Sequence, residues 1–255
     1  MNDSALTIYK AFSARLEALE RPYYRRVRIV LQRWGELAAV YYEAGASAEL
    51  AAGVLKKDPM LIVLKPLLLQ CATQEAAVSY EAVQTMLANQ KAAKPKLPVP
   101  TGAAERINTF ISTEGAADVQ NITETSRKQI REALKEIQQQ GLSRQEGANL
   151  LRTRVQELSS KRAITIVRTE LLTAANYGSL AGAQALGVPL LKKWIATPGD
   201  RTRIDHQLAN GEKADLAGVF EDIGGEHARF PGDPNLSGRQ RINCRCTIGY
   251  EPIKA

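Results

Sequence analysis

Between Ser4 and Asn89 apolar residues recur at helical spacing, as in Val27, Val30, Leu31, Trp34, Leu37 and Ala38. That period predicts several helices, each burying one face. Pro22, Pro59 and Pro66 are expected to mark breaks or first turns, because proline donates no amide hydrogen and crowds the preceding turn. The run AAKPKLPVPTG at 92–102 carries three prolines and little apolar content, which suits an extended, semi-rigid connector. Beyond it, Thr123 or Thr125 is placed to cap a helix whose Ile130, Leu134 and Ile137 share a face, with Gly141 suited to ending it. Ser143 and Glu146 then form a capping-box pattern, opening a helix that contains Leu150, Leu151, Val155 and Leu158. A further helix is expected from about Lys161 to Leu186. Ile164, Val167, Leu171 and Ala175 give it an apolar stripe, and Gly178, Ala181 and Gly182 let a neighbour approach closely.

The pattern changes near Gly187-Val188-Pro189. Alanine, leucine, glutamate, glutamine and arginine prevail before it; glycine, proline and aspartate concentrate after it. Leu190 to Thr197 has strand character with Trp194 as a large anchor, and Pro198-Gly199-Asp200 turns the chain. Asp200 is placed to cap a short helix that carries Arg203 and His206 on one face, with Leu208 turned inward. From Cys244 to Tyr250 alternation puts Cys244, Cys246, Ile248 and Tyr250 on one face of a strand. The fold class expected is mainly α with a small carboxy-terminal α+β domain. Its segments are a helical domain at 1–91, the proline-rich linker at 92–102, a helical middle region at 103–187 and the α+β domain at 188–255.

Composition narrows the partners. The 255 residues carry 34 Lys+Arg against 27 Asp+Glu, a formal charge of +7 whose excess lies mostly before residue 100. A balance of that size gives modest attraction to nucleic acid or an acidic protein surface. Arg21, Arg25 and Arg28 fall along one side of a helix, beside Tyr23 and Tyr24, where they could meet phosphates or acidic side chains or simply face solvent. The amino terminus lacks the basic and apolar succession of a secretory signal. The most apolar window, Val54 to Cys71, is interrupted by Lys56, Lys57, Asp58, Pro59, Lys65 and Pro66, so no membrane partner is expected. Three cysteines, two of them one residue apart, argue against a disulfide framework and fit a reducing compartment.

The chemistry-bearing residues lie near the end. Cys244 and Cys246 on one face could hold a soft metal, with His206 and then His227 or an aspartate completing a tetrahedral zinc shell. A flat strand, however, holds two such sulfurs too far apart unless it kinks. The other reading makes both thiols small buried hydrophobes beneath the Trp194 strand, with Asn243 and Arg245 in polar contacts around them, and it is the one preferred. Arg168 and Glu170 are expected to tie their helix to the carboxy-terminal unit through charged hydrogen bonds. The helical pair around Gly141 has a helix-turn-helix pattern. Direct DNA reading would need an exposed basic second helix, though, and Arg144, Arg152 and Arg154 serve equally as a solvated face.

One ordered series goes further: Trp194, Thr197, Asp200, Arg203, His206, Gly211, Pro231-Gly232-Asp233-Pro234 and Asn243-Cys244-Arg245-Cys246. It resembles the carboxy-terminal region of the phage Mu F-like minor head protein family, over about residues 110–250, and Arg168-Thr169-Glu170 also fits. The resemblance implies a head morphogenesis protein of a tailed bacteriophage, held in the capsid interior near the portal and active in head assembly and in DNA packaging or delivery. Its implied partners are the portal protein, scaffold or major capsid protein, and packaged duplex DNA without sequence preference. Assembly would take place in the host bacterial cytoplasm. The resemblance implies no catalytic residue and no cofactor, leaving zinc at His206, Cys244 and Cys246 as the one candidate. Two alternatives stay open: a sequence-independent DNA-binding protein of the capsid interior, and a metal-dependent nuclease or toxin-like enzyme using His206 with Asp205, Glu226 or His227.

Overall fold

A computed structural model describes residues 3–88 and 101–253. Apart from Thr101 and Gly102, the expected connector at 92–102 lies outside the described residues. Helices dominate: α1 (Asp3–Glu43), α2 (Ala48–Gly53), α3 (Asp58–Ala88), α4 (Thr101–Phe110), a π-helical turn (Ile111–Gly115), α5 (Ala116–Gln139) and α6 (Arg144–Gln184). A small antiparallel sheet follows, made of β1 (Leu190–Ile195), β2 (Lys213–Asp215) and β3 (Thr247–Pro252), with two short helices, α7 (Ile204–Leu208) and α8 (Gly238–Arg241), between its strands. The chain is therefore mainly α with a small carboxy-terminal α+β part.

Several expected breaks are absent. Pro22 and Pro66 lie inside α1 and α3, and only Pro59 occupies a first turn. Each internal proline forfeits one backbone hydrogen bond, about 3 kcal/mol or more in an isolated helix. The flanking apolar stripes offset that loss: Tyr23 and Val27 are buried on α1, and Leu64, Leu67 and Leu68 on α3. Likewise the two helices expected around Ser159-Ser160 are one 41-residue helix, α6. Thr123 and Thr125 are not caps. Both sit within α5, where their hydroxyls donate to the Val119 and Asn121 carbonyl oxygens one turn back. The real caps follow the sequence signals: Glu146 N–H donates to Ser143 Oγ at 3.2 Å, Ser143 N–H donates to Glu146 Oε2 at 2.9 Å, and Gly141 takes a φ of +68° after α5.

The described residues fall into two compact units, one drawn from Met1–Leu19, Leu67–Glu114 and Arg168–Ala255, the other from Glu20–Pro66 and Gly115–Val167. In the second unit α2 packs on α5, whose Ile130, Leu134 and Ile137 are buried as the spacing predicts. Arg152 pairs there with Glu36 and Glu43, Arg154 with Glu136, and Arg144 donates to the Ala46 carbonyl. These three arginines are thus committed to partners within the chain. Leu158 is exposed rather than part of the apolar face.

In the first unit α3 and α6 meet through small residues. A methyl group at Gly178 would overlap the Ala72 carbonyl oxygen, and one at Gly182 would overlap that of Ala76. By length and composition Ala48–Ala88 could cross a membrane, yet Leu55, Met60, Leu64, Leu67 and Ala72 within it are fully buried in the protein. The sheet has the order β2-β1-β3, with β1 central and both pairings antiparallel. Leu190, Lys192 and Trp194 alternate onto the buried face of β1. Lys192 is the unexpected member: its ammonium donates to the Gly218 carbonyl at 2.5 Å and lies 5.4 Å from the Phe220 ring centroid.

Candidate functional site

Beyond β1 the chain turns at Gly199 and enters α7, which places His206 against the buried strand residue Trp194, ring edge to face at 5.4 Å. Asp200 is exposed and does not cap α7; Arg203 occupies the cap position without a capping side-chain bond, its guanidinium donating instead to the Ile242 carbonyl at 2.6 Å. Leu208 points outward, 80 % exposed, because a helix of five residues buries only the face that carries His206. Gly211, with φ +94°, returns the chain so that its N–H donates to the Trp194 carbonyl oxygen.

Cys244 and Cys246 precede β3 instead of lying within it. Asn243 has a φ of +58°, the single positive-φ residue other than glycine among the described residues, and its N–H donates to Thr169 Oγ1. The kink lets both sulfurs face one imidazole: Cys244 Sγ lies 3.5 Å and Cys246 Sγ 3.4 Å from His206 Nδ1. Cys246 N–H also donates to Cys244 Sγ at 3.5 Å. The three candidate ligand atoms lie within 4.8 Å of one another, and all three residues are buried. Thr197 Oγ1 lies 3.8 Å from Cys246 Sγ.

The imidazole is oriented from behind. Gln240 Nε2 donates to Asp205 Oδ2 at 2.7 Å, which turns Gln240 Oε1 toward His206 Nε2 at 3.2 Å. The network assigns the proton to Nε2 and leaves the Nδ1 lone pair facing the sulfurs. Electrostatics divide the thiols. The hydrogen bond from Cys244 and the Thr197 amide hold the Cys246 thiol well below its ordinary range; that same hydrogen bond, together with burial, pushes Cys244 up.

A row of polar residues on α6 carries this arrangement. Thr169, Glu170, Thr173, Asn176 and Ser179 are all buried. Glu170 pairs with Arg241 at 3.2 Å, as its expected tie to the carboxy-terminal part requires. Thr173 Oγ1 donates to the Gly232 carbonyl, and Asn176 Nδ2 donates to the Pro231 and Cys246 carbonyls at 2.8 and 3.0 Å while its Oδ1 accepts from Thr247 Oγ1. Within the Pro231–Pro234 turn, Asp233 accepts from the Arg229 guanidinium and from the Arg229 and Asn235 amides. Arg229 also pairs with Glu114 of the π-helical turn at 2.6 Å. Asp233 was named from the sequence only within the Pro231–Pro234 run, and none of Asn176, Gln240 or Glu114 was singled out. The signal for Asn176 was present, since Thr169, Thr173 and Asn176 recur at helical spacing beside the apolar stripe.

Other candidates are not brought together. His227 is exposed and pairs with Glu221, Glu226 accepts from Ser237 N–H and Oγ, and Asp205 faces Gln240, so the nuclease set does not converge on His206. Arg21 and Arg25 are exposed and line a groove with Tyr24, Ile164 and Val167, whereas the Arg28 guanidinium lies 5.9 Å from the Tyr24 ring centroid. Arg21, Arg25 and Arg28 therefore do not form one exposed row.

Comparison with known proteins bears on residues 128–249, which match the family described as phage Mu protein F like protein. Over 94 residues the chain is 35 % identical to the NAD(+)-arginine ADP-ribosyltransferase EFV of Enterococcus faecalis, an alignment that covers 36 % of this chain and 19 % of that protein. The chain thus corresponds to a minor part of that relative's length. No solved structure matches.

Proposed function

Because residues 128–249 belong to the phage Mu F-like family, we propose that the chain is a minor head morphogenesis protein of a tailed bacteriophage. It resides in the capsid interior near the portal and acts in head assembly and in DNA packaging or delivery. The observation that carries this reading is the family match over the segment holding α6, the sheet and the Cys–His cluster. A structural role accords with how the motif residues are used. Cys244, Cys246, His206 and Trp194 are buried against one another, and His206 is 1 % exposed. Substrate chemistry needs a group that a ligand can reach.

The portal protein is the first partner to test, with scaffold or major capsid protein and packaged duplex DNA next. Co-purification with the cognate portal and procapsid, with copy number from quantitative mass spectrometry, is expected to find a few copies bound. Absence from both sinks the reading. The name of the Enterococcus faecalis relative raises ADP-ribosyl transfer as a second activity. Incubation with NAD(+) and an arginine acceptor is expected to yield no ADP-ribosyl product, and product formation would reverse the non-catalytic assignment.

A further inference from the structure

We propose that His206 Nδ1, Cys244 Sγ and Cys246 Sγ bind a zinc ion that fastens the carboxy-terminal Cys-x-Cys turn to α7. The donor set is two sulfurs and one imidazole, a combination that suits zinc and is foreign to the oxygen-seeking cations magnesium and calcium. Two thiolates balance the charge of Zn²⁺, so the buried centre is electrically neutral. On binding, both cysteines are held as thiolates, their thiol protons pass to solvent, hydrated zinc gives up water ligands, and two sulfur–zinc bonds and one nitrogen–zinc bond form in their place. A fourth position is left for a water molecule or for the neighbouring Thr197 hydroxyl.

Three features beyond the proximity of the side chains point to a metal. First, the backbone is shaped for thiolates: the left-handed Asn243 aims both sulfurs at one point, and Cys246 N–H donates to Cys244 Sγ, a bond that favours a charged sulfur over a neutral thiol. This turn removes the geometric objection that a flat strand raises. Second, Asp205 and Gln240 form the outer support that metal-bound histidines take, fixing the tautomer whose Nδ1 lone pair is free. Third, room is kept for that support. Gly224 has a φ of +67°, and a methyl group there would overlap both Gln240 Nε2 and Asp205 Oδ2. A packing cluster of small apolar thiols needs neither an oriented imidazole nor a two-residue support behind it.

The test uses the full chain, purified without chelator. Elemental analysis is expected to find about one zinc per chain, lost in Cys246→Ser and in His206→Ala and kept in Cys71→Ser, whose thiol lies outside the cluster. Those variants could misfold, so the wild-type protein supplies an independent readout. Replacing the metal with Co²⁺ is expected to give a thiolate-to-cobalt charge-transfer absorption in the near ultraviolet. Folded wild-type protein, judged by helical circular dichroism, that neither takes up zinc in a chelator-competition titration nor shows the cobalt band overturns the proposal. So does retention of zinc by a folded Cys244→Ser/Cys246→Ser double variant.

Discussion

Gln240 and His206 are joined through Oε1 and Nε2 at 3.2 Å, although α8 and α7 that carry them are separated by 34 positions in sequence. The bond depends on a third residue, because Asp205 accepts from Gln240 Nε2 and so decides which end of the amide meets the imidazole. Gln240→Ala leaves the buried His206 Nε2–H without an acceptor and Asp205 without its donor. An unsatisfied buried group costs about 1–3 kcal/mol. A urea unfolding series is expected to show a loss of that order, and a midpoint unchanged from wild type would mean that the amide does not position the ring.

Asn176 joins three segments: its amide nitrogen reaches the Pro231 and Cys246 carbonyls and its oxygen receives Thr247 Oγ1, all without solvent access. Asn176→Leu keeps the branching at Cγ and removes every bond, stranding two carbonyl oxygens and a hydroxyl. A destabilisation of about 3 kcal/mol is expected from three net hydrogen bonds near 1 kcal/mol each. Asn176→Asp tests the direction of donation, since a carboxylate cannot donate to either carbonyl and should prove at least as harmful. If the two variants unfold at the wild-type midpoint, the α6 polar row does not hold the carboxy-terminal segment.

Asp233 is 1 % exposed and receives the Arg229 guanidinium, which is itself shared with Glu114. Arg229 remains partly open to solvent, which weakens the ionic share of the pairing. The two backbone amides of the turn remain whatever the solvent does. Asp233→Ala is therefore expected to cost about 2–4 kcal/mol, toward the lower part of what breaking a buried pair costs. Glu114→Gln should cost less than 1 kcal/mol, because its partner keeps Asp233. Equal losses from the two substitutions would contradict this ranking.

What could be read from the sequence follows from how local each cause is. The Ser143–Glu146 box, the Gly141 stop and the α5 stripe depend on residues within a few positions of one another, and they stand where their spacing puts them. The lengths of α1 and α6 were not readable, because Pro22 and Ser159-Ser160 are local arguments for a break that buried faces outweigh. At the site, the pattern named Trp194, His206, Cys244 and Cys246 but set the cysteines in a strand. The left-handed Asn243 that turns them has its N–H bonded to Thr169 Oγ1, more than seventy positions away. Asp200 and Leu208 were misplaced for a similar reason: a five-residue helix is positioned by His206 and its distant partners more than by its own cap.

Lys192 gives the pH test. It sits on the buried face of β1 with no solvent exposure, and burial lowers its pKa from 10.5 to about 8, with nearby Asp233 opposing the shift. Below about 8 the amine is charged in both states, and the folded protein bears the full cost of burying that charge. Between about 8 and 10.5 the unfolded chain still holds a proton that the folded chain has released. Stability contributed by this group therefore rises with pH across that window, by on the order of 3 kcal/mol for a shift of this size. Other groups contribute there too, Cys71 among them, which ionises in the unfolded chain while burial keeps the folded thiol protonated, so the comparison is with Lys192→Met at each pH. The methionine keeps most of the unbranched side chain and removes the charge, leaving the Gly218 carbonyl without its donor at every pH. The urea midpoint of wild type relative to Lys192→Met should climb between pH 8 and 10.5 and be flat below pH 7.5. Parallel profiles through the window would show that the ammonium is stabilised by the Gly218 carbonyl and the Phe220 ring well enough to keep its ordinary pKa.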